Sequence, residues 1–236
     1  SCEVCGGLFD DRIWFRDDGS PMGTYKKCPD CRKKDEQQSE EEKLQAQLKE
    51  AIVLQGCEWY EEANMPTSFR QKTFADFDAK LQPKAFQAIT QLRWDWGEGD
   101  DDKPKSLILL SPGIYGMGKT HLVCALINQI IETGELAFIH KDKYSQYVKK
   151  RKCPVYFTSE NDLLRRIRNT YNRKDDQESE EDIYTELAKY KLLILDDVGK
   201  VRPRDLNFTQ GVYFNIIDDR YTECQAIILT TNLDLS

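Results

Sequence analysis

The sequence predicts an α/β protein in which a parallel sheet flanked by helices follows a small four-cysteine module and a linker helix. Three observations carry that prediction. Residues 113–120 fit the phosphate-loop pattern GxxxxGK[ST] between an apolar run at 106–110 and an apolar stretch at 121–131. A second apolar run, Leu192 to Leu195, ends in two adjacent carboxylates, Asp196 and Asp197. Two CxxC pairs, Cys2/Cys5 and Cys28/Cys31, open the chain.

Length and charge bound the alternatives. The 236 residues, 39% hydrophobic, suit one nucleotide-binding domain plus a smaller appendage. No apolar run reaches the roughly 18 to 20 residues of a bilayer span, so no membrane partner and a cytoplasmic location are expected. A formal net charge of -7 argues against indiscriminate DNA binding. The acidity is concentrated in runs such as 100–102 and 175–182, which leaves local basic patches free to meet nucleic acid.

Half of the eight cysteines lie in the first 31 residues. Cys2, Cys5, Cys28 and Cys31 form two knuckles around a segment that reads as a hairpin, with Ile13 to Arg16 entering a Gly19-Ser20-Pro21 turn. Four thiolates can converge tetrahedrally on one Zn²⁺, and a domain of about 34 residues has too little core to fold without such a staple; redox CxxC chemistry is the alternative, though no βαβ pattern surrounds either pair. With every position filled by cysteine no site remains for a catalytic water, so this domain (1–34) is expected to bind a partner. Cys57, Cys124, Cys153 and Cys224 read as small buried hydrophobes.

Residues 35–63 are charged, with Leu44, Leu48, Ala51, Ile52 and Trp59 near helical spacing, and read as a linker helix ended by Asn64-Met65-Pro66. Domain three, 64–236, holds the nucleotide core. Phe69, Phe74 and Phe77 precede a short helix expected from Pro83 to Trp96 and read first as core packing, with adenine contact the minor alternative.

In the phosphate loop Gly113, Ile114, Tyr115, Gly116, Met117, Gly118, Lys119, Thr120 and His121 are the expected ATP-binding residues. The glycines let successive N–H groups face phosphate oxygens, and the helix beginning at Lys119 adds the positive end of its dipole. Lys119 would bridge the terminal phosphates and Thr120 would hold Mg²⁺. A basic, aromatic-containing insertion follows, with Lys141 to Tyr144 and Lys149 to Lys152. Next come a strand at 154–158 and a helix presenting Arg165, Arg166 and Arg168, ahead of Arg173 and Lys174. Such groups could track single-stranded DNA with Tyr144, Tyr147 or Tyr171 for stacking, or could form a solvated face. The acidic run after Lys174 reads as a solvated loop.

The strand at 191–199 ends where α/β sheets bind ligands. Asp196 would orient Mg²⁺ and Asp197 would polarise the attacking water. A helix at about 206–221 leads to a strand at 226–230 and to Asn232, whose amide could sense the γ-phosphate and hold the lytic water. Arg220 reads as a helix-terminal cation serving the dipole or a local ion pair.

This order of motifs resembles the AAA+ ATPases, specifically the DnaC/DnaI helicase loaders and the related IstB transposition helpers. The matching residues are 69–77, 113–120, the long basic stretch before the carboxylate strand, 192–199 and Leu229-Thr230-Thr231-Asn232, and the resemblance covers about residues 64–236. It implies an ATPase that loads a replicative hexameric helicase on single-stranded DNA, with self-oligomerisation on ATP and the zinc module contacting the helicase. Asn232 matches the residue called sensor 1. A further strand and the arginine finger of the family would lie beyond Ser236, leaving the core incomplete at its C-terminus and hydrolysis slow or absent. The alternatives are an IstB-like helper with target DNA and transposase, or a zinc adaptor whose ATP site is a switch with little turnover.

Overall fold

A computed structural model describes residues 1–9, 17, 26–92, 105–134, 136–142, 145–171, 177–200 and 206–234. The expected hairpin at 13–21 apart from Asp17, together with Trp96, the acids at 100–102, and Lys143, Tyr144, Arg173 and Lys174, lies outside them. The chain divides into two compact units, one of residues 1–53 with 137–150, the other of residues 54–136 with 151–236.

The first unit begins with the cysteine knuckles. Backbone bonds Cys2 N to Gly7 O (2.9 Å) and Gly6 N to Cys2 O (3.0 Å) curl the first knuckle, with Gly6 at φ 69°. The second knuckle runs into helix α1 (Pro29–Glu62), which starts earlier than expected. Proline in the first turn lacks only an N–H that no helix would use, and Asp30 faces the positive end of the dipole. Residues up to Val53 belong to this unit. So does an antiparallel hairpin of β2 (Ala137–Lys141) and β3 (Gln146–Lys150), where the sequence reads only as a basic insertion.

In the second unit the sheet is four-stranded and all parallel, in the order β1 (Leu107–Leu110), β6 (Ala226–Thr231), β5 (Leu192–Val198), β4 (Val155–Ser159). Central β5 is buried on both sides, and its alternation sorts two cores. Leu192 and Ile194 pack with Leu122, Leu126, Ile127 and Ile130 of α3 (Lys119–Thr133) and with Trp59. Leu193 and Leu195 pack with Leu164 and Ile167 of α4 (Glu160–Thr170), Ile183 and Leu187 of α5 (Glu180–Leu187), and Val212 and Ile216 of α6 (Leu206–Thr222). Burial on this scale, about 25 cal/mol per Å² of apolar surface, is what holds the layers together.

The outer edge of β4 is covered by the end of α1. Phe157 N donates to Ala63 O (2.9 Å) and Asn64 Nδ2 donates to Phe157 O (3.0 Å), with Asn64 in the left-handed region at φ 51°. An edge strand thereby loses the free groups that invite mispairing. The short helix α2 (Pro83–Thr90) ends six residues before Trp96.

Three expectations are corrected. Cys124 and Cys153 are buried as small hydrophobes, whereas Cys57 and Cys224 are exposed. Part of the acidic run folds as α5, because Ser179 and Asp182 form a capping box: the Ser179 hydroxyl accepts from Asp182 N at 3.1 Å while Asp182 Oδ2 accepts from Ser179 N at 2.8 Å. Three acids in the first turn also suit the dipole. Arg220 is buried, not a surface cation, and its guanidinium donates to the carbonyls of Leu187, Tyr190, Lys191 and Ala226. Removal from water draws its pKa down to about 10, so it acts as a multidentate tie between α5, α6 and β6.

Candidate functional site

The C-terminal ends of β1, β6 and β5 bring the motif residues together. Ser111 N donates to Thr231 O (3.2 Å) and Gly113 N to Asn232 O (3.2 Å), so the phosphate loop leaves the sheet alongside the end of β6. Gly113, Gly116 and Gly118 hold φ of 65°, 75° and 78°, a left-handed backbone that side chains resist. At Gly118 a Cβ would also fall 2.5 Å from Phe77 Cε2. Ile114 and Tyr115 are exposed at the loop tip.

Lys119, the first residue of α3, is buried, and its Nζ donates to Ser111 Oγ (2.5 Å) and Asn232 Oδ1 (2.6 Å). Desolvation pulls its pKa down, against the opposing fields of Asp197 and Asp196. Neither acid forms an ion pair with it among the described residues. Thr120 Oγ1 donates to Asp196, 2.9 and 3.0 Å from the two carboxylate oxygens. Asp196 is itself buried, which raises its pKa, while Thr230 (2.6 Å to Oδ1) and Thr120 act in the other direction.

Asp197 occupies a register irregularity between Leu195 and Val198, at φ 58°. Bulges of this kind re-aim side chains beside ligand sites. Thr230 Oγ1 fixes the turn by accepting from Asp197 N (2.9 Å), and Lys200 Nζ holds the Asp197 carboxylate at 2.7 Å. His121 turns away from the loop: its Nε2 lies 2.8 Å from Thr73 O and its ring packs edge-on to Phe77, so only its backbone is available to a phosphate.

Two contributors, Ser111 and Glu160, carry no signal in the sequence, and a third, Thr230, is read there only as part of the 229–232 match. Ser111 and Thr230 are ordinary strand-end residues until the sheet is assembled. Glu160, at the start of α4, is buried; Gly199 N (2.9 Å) and the Tyr213 hydroxyl (2.6 Å) donate to its carboxylate. It thus ties the turn after Asp197 to α6. Two of the basic residues read as DNA contacts are otherwise engaged, Arg165 with Asp162 at 2.7 Å and Arg166 with Glu178, Glu186 and Tyr156.

A carboxylate and a hydroxyl side by side beneath a glycine-rich loop suit a hard divalent ion with a polyphosphate. The cysteine cluster suits a different metal. The sulfurs of Cys2, Cys5, Cys28 and Cys31 all lie within 4.8 Å of one another, and Cys5 and Cys28 are 3.7 Å apart. Tetrahedral bonding at Zn–S of about 2.3 Å sets sulfurs about 3.8 Å apart. Four soft donors with no open position fit a structural zinc.

A profile of the IstB-like ATP binding protein family matches residues 31–236. No curated protein matches the chain. Among solved structures, the DnaC helicase loader superposes with a TM-score of 0.51 at 21% identity, over 72% of this chain and 82% of that one. DnaI superposes with a TM-score of 0.51 at 19% identity, over 72% of this chain and 77% of that one. At such identities the two likenesses bear on the fold, a parallel sheet between helices.

Proposed function

The chain belongs to the IstB-like ATP-binding protein family, and from that premise we propose that it is an ATPase of DNA replication that loads a ring-shaped helicase on single-stranded DNA. The observation that carries the reading is the meeting of Lys119, Thr120, Asp196 and Asn232 at one edge of the sheet, within hydrogen-bond reach of one another in pairs.

The amides of residues 113–121 cradle the phosphates, and Lys119 leaves Ser111 and Asn232 to bind the terminal ones. Mg²⁺, held by Thr120 and Asp196, would neutralise the charge that builds on the phosphates. Asp197 accepts a proton from the attacking water as its oxygen bonds to the γ-phosphorus and the bond to the ADP oxygen breaks. Asn232, released from Lys119, orients that water or the γ-phosphate. The phosphate-bound and phosphate-free arrangements of Asn232 then differ, which supplies a signal at the end of β6. Zinc on Cys2, Cys5, Cys28 and Cys31 would give the N-terminal module its shape for a helicase contact.

The loader reading is supported by the likeness of fold to DnaC and DnaI and by the cysteine module. A transposition helper is the second reading, favoured by the family's IstB description. The zinc-loaded chain, a ring helicase and circular single-stranded DNA are mixed with ATP, and helicase retained on the circle is measured. Retention that requires both ATP and the chain supports loading. Capture of a transposase with no helicase retention favours the second reading, and no effect on either overturns the proposal.

A further inference from the structure

The β2–β3 hairpin stands outside the four-stranded sheet, and no residue of the nucleotide site lies on it. Residues 137–152 contain six Lys or Arg and one acid, Asp142, in a chain whose formal net charge is -7. The pairing register sorts its side chains. His140 stands opposite Tyr147 and Phe138 opposite Lys149, which places all four on one face; Ala137, Ile139 and Val148 share the other. The rings run along the first face in contact, Phe138 to His140 at 6.3 Å between centroids and His140 to Tyr147 at 5.1 Å. Tyr147 nevertheless keeps 44% of its surface exposed, beside an exposed Lys149.

Phe138 and His140 are half-buried, and a hairpin that only had to fold would gain from covering the Tyr147 ring as well. A row of rings whose outermost member is exposed next to an ammonium group matches one ligand chemistry well: flat aromatic bases joined by phosphates. Bases in a duplex are stacked on each other and offer no free π-face, whereas those of a single strand do. We propose that the Phe138–His140–Tyr147–Lys149 face is a docking surface for single-stranded DNA, with Tyr147 and His140 stacking on bases and Lys149 meeting a phosphate. This rests on the loader reading and names the surface through which the DNA is held.

The test uses the full zinc-loaded chain and a fluorescein-labelled thymidine 30-mer, followed by anisotropy over a salt series. Tyr147→Ala should weaken binding by roughly 5- to 150-fold, the range of one lost base stack, while Tyr147→Phe, which keeps the ring, binds as the parent does. Lys149→Ala should lower the slope of log affinity against log salt by about 0.7, one phosphate's worth on a single strand. Zinc stoichiometry and the circular-dichroism spectrum, measured in parallel, report that each variant keeps the fold of the unit that carries the hairpin. If the parent binds and Tyr147→Ala binds equally well, the surface is elsewhere and the loader reading stands. If Tyr147→Ala loses DNA while the parent fails to retain helicase on circles, the surface stands and the loader reading falls. Polyglutamate displacing the 30-mer as well as unlabelled thymidine DNA would mark a face for acidic protein and overturn the assignment, as would a parent that binds no 30-mer.

Discussion

Lys119 Nζ and Asn232 Oδ1 lie 2.6 Å apart, which joins the phosphate-loop cation directly to the amide at the end of β6. The two residues should fail differently. Lys119→Ala removes a buried cation aimed at the phosphates and should weaken ATP binding by about 100-fold or more, with zinc content unchanged. Asn232→Ala leaves the loop and cation in place, so ATP affinity should stay within a few-fold while kcat falls by about 10- to 100-fold, as for loss of one positioned polar group. Equal losses in affinity for both variants would remove the sensing role.

Asp196 shows the stability cost of a functional carboxylate. Burial raises its folded-state pKa above the ordinary 3.8, so the folded chain holds that proton more tightly than the unfolded one. Between 3.8 and the raised value unfolding releases a proton; stability therefore falls as pH rises through that window and stays reduced above it. Asp196→Asn carries no such penalty. Calorimetry without nucleotide should find the variant melting above the parent at pH 7, with the gap narrowing toward pH 4. Added Mg-ATP at about 100 times the parent's dissociation constant should stabilise the parent by about 2.7 kcal/mol and the variant hardly at all.

Much of this arrangement is legible in the sequence because its signals are local. A phosphate loop between an apolar strand and helix, or an apolar run ending in two acids, needs no tertiary partner to be read. The capping box at Ser179 and Asp182 was equally local, but the net acidity of the stretch outweighs it in a reading by composition. The rest depends on partners far along the chain. Asp197 enters the left-handed region because Thr230, 33 residues away, takes its N–H. Arg220 looks like a helix-terminal cation until the carbonyls of Leu187 and Tyr190 close round it. The polar composition of 146–150 likewise conceals a strand that only its pairing with 137–141 defines.

Glu160 has no chemistry of its own, yet it holds Gly199 N and the Tyr213 hydroxyl around the turn that presents Asp197. Glu160→Ala leaves a half-buried N–H and O–H without their acceptor and should destabilise the second unit by about 1–3 kcal/mol. Because the turn loosens rather than the phosphate loop, kcat should fall more than KM rises. Glu160→Gln keeps the shape and one acceptor, so it should recover part of kcat. A Gln variant no better than Ala in kcat would make the role purely one of stability.

The cysteine cluster makes a stoichiometric prediction. Cys28 lies 3.7 Å from Cys5 and precedes α1, so Cys28→Ser removes a sulfur central to the set. The parent should carry one zinc per chain and the variant close to none, measured by elemental analysis after dialysis. ATP affinity should be the same in both, since the nucleotide residues belong to the other unit. One zinc per chain in the variant would refute four-thiolate binding.

Gly118 tests the packing beneath the phosphate loop. Its φ of 78° costs any L side chain about 1–2 kcal/mol, and its Cβ position lies 2.5 Å from Phe77 Cε2. Phe77 has little room to yield, because Phe86 stacks on it at 5.8 Å and His121 stands edge-on at 5.5 Å. Gly118→Ala should therefore cost about 2–4 kcal/mol in denaturant unfolding, the backbone and overpacking contributions together. Phe77→Leu, which removes the clashing ring edge, should cost about 1–2 kcal/mol alone. Combined, the two should cost less than their sum by about 1 kcal/mol or more, because the clash disappears while the left-handed strain stays. Strict additivity would mean that Gly118 is required for its backbone conformation alone, and that Phe77 does not set how closely the loop approaches the core.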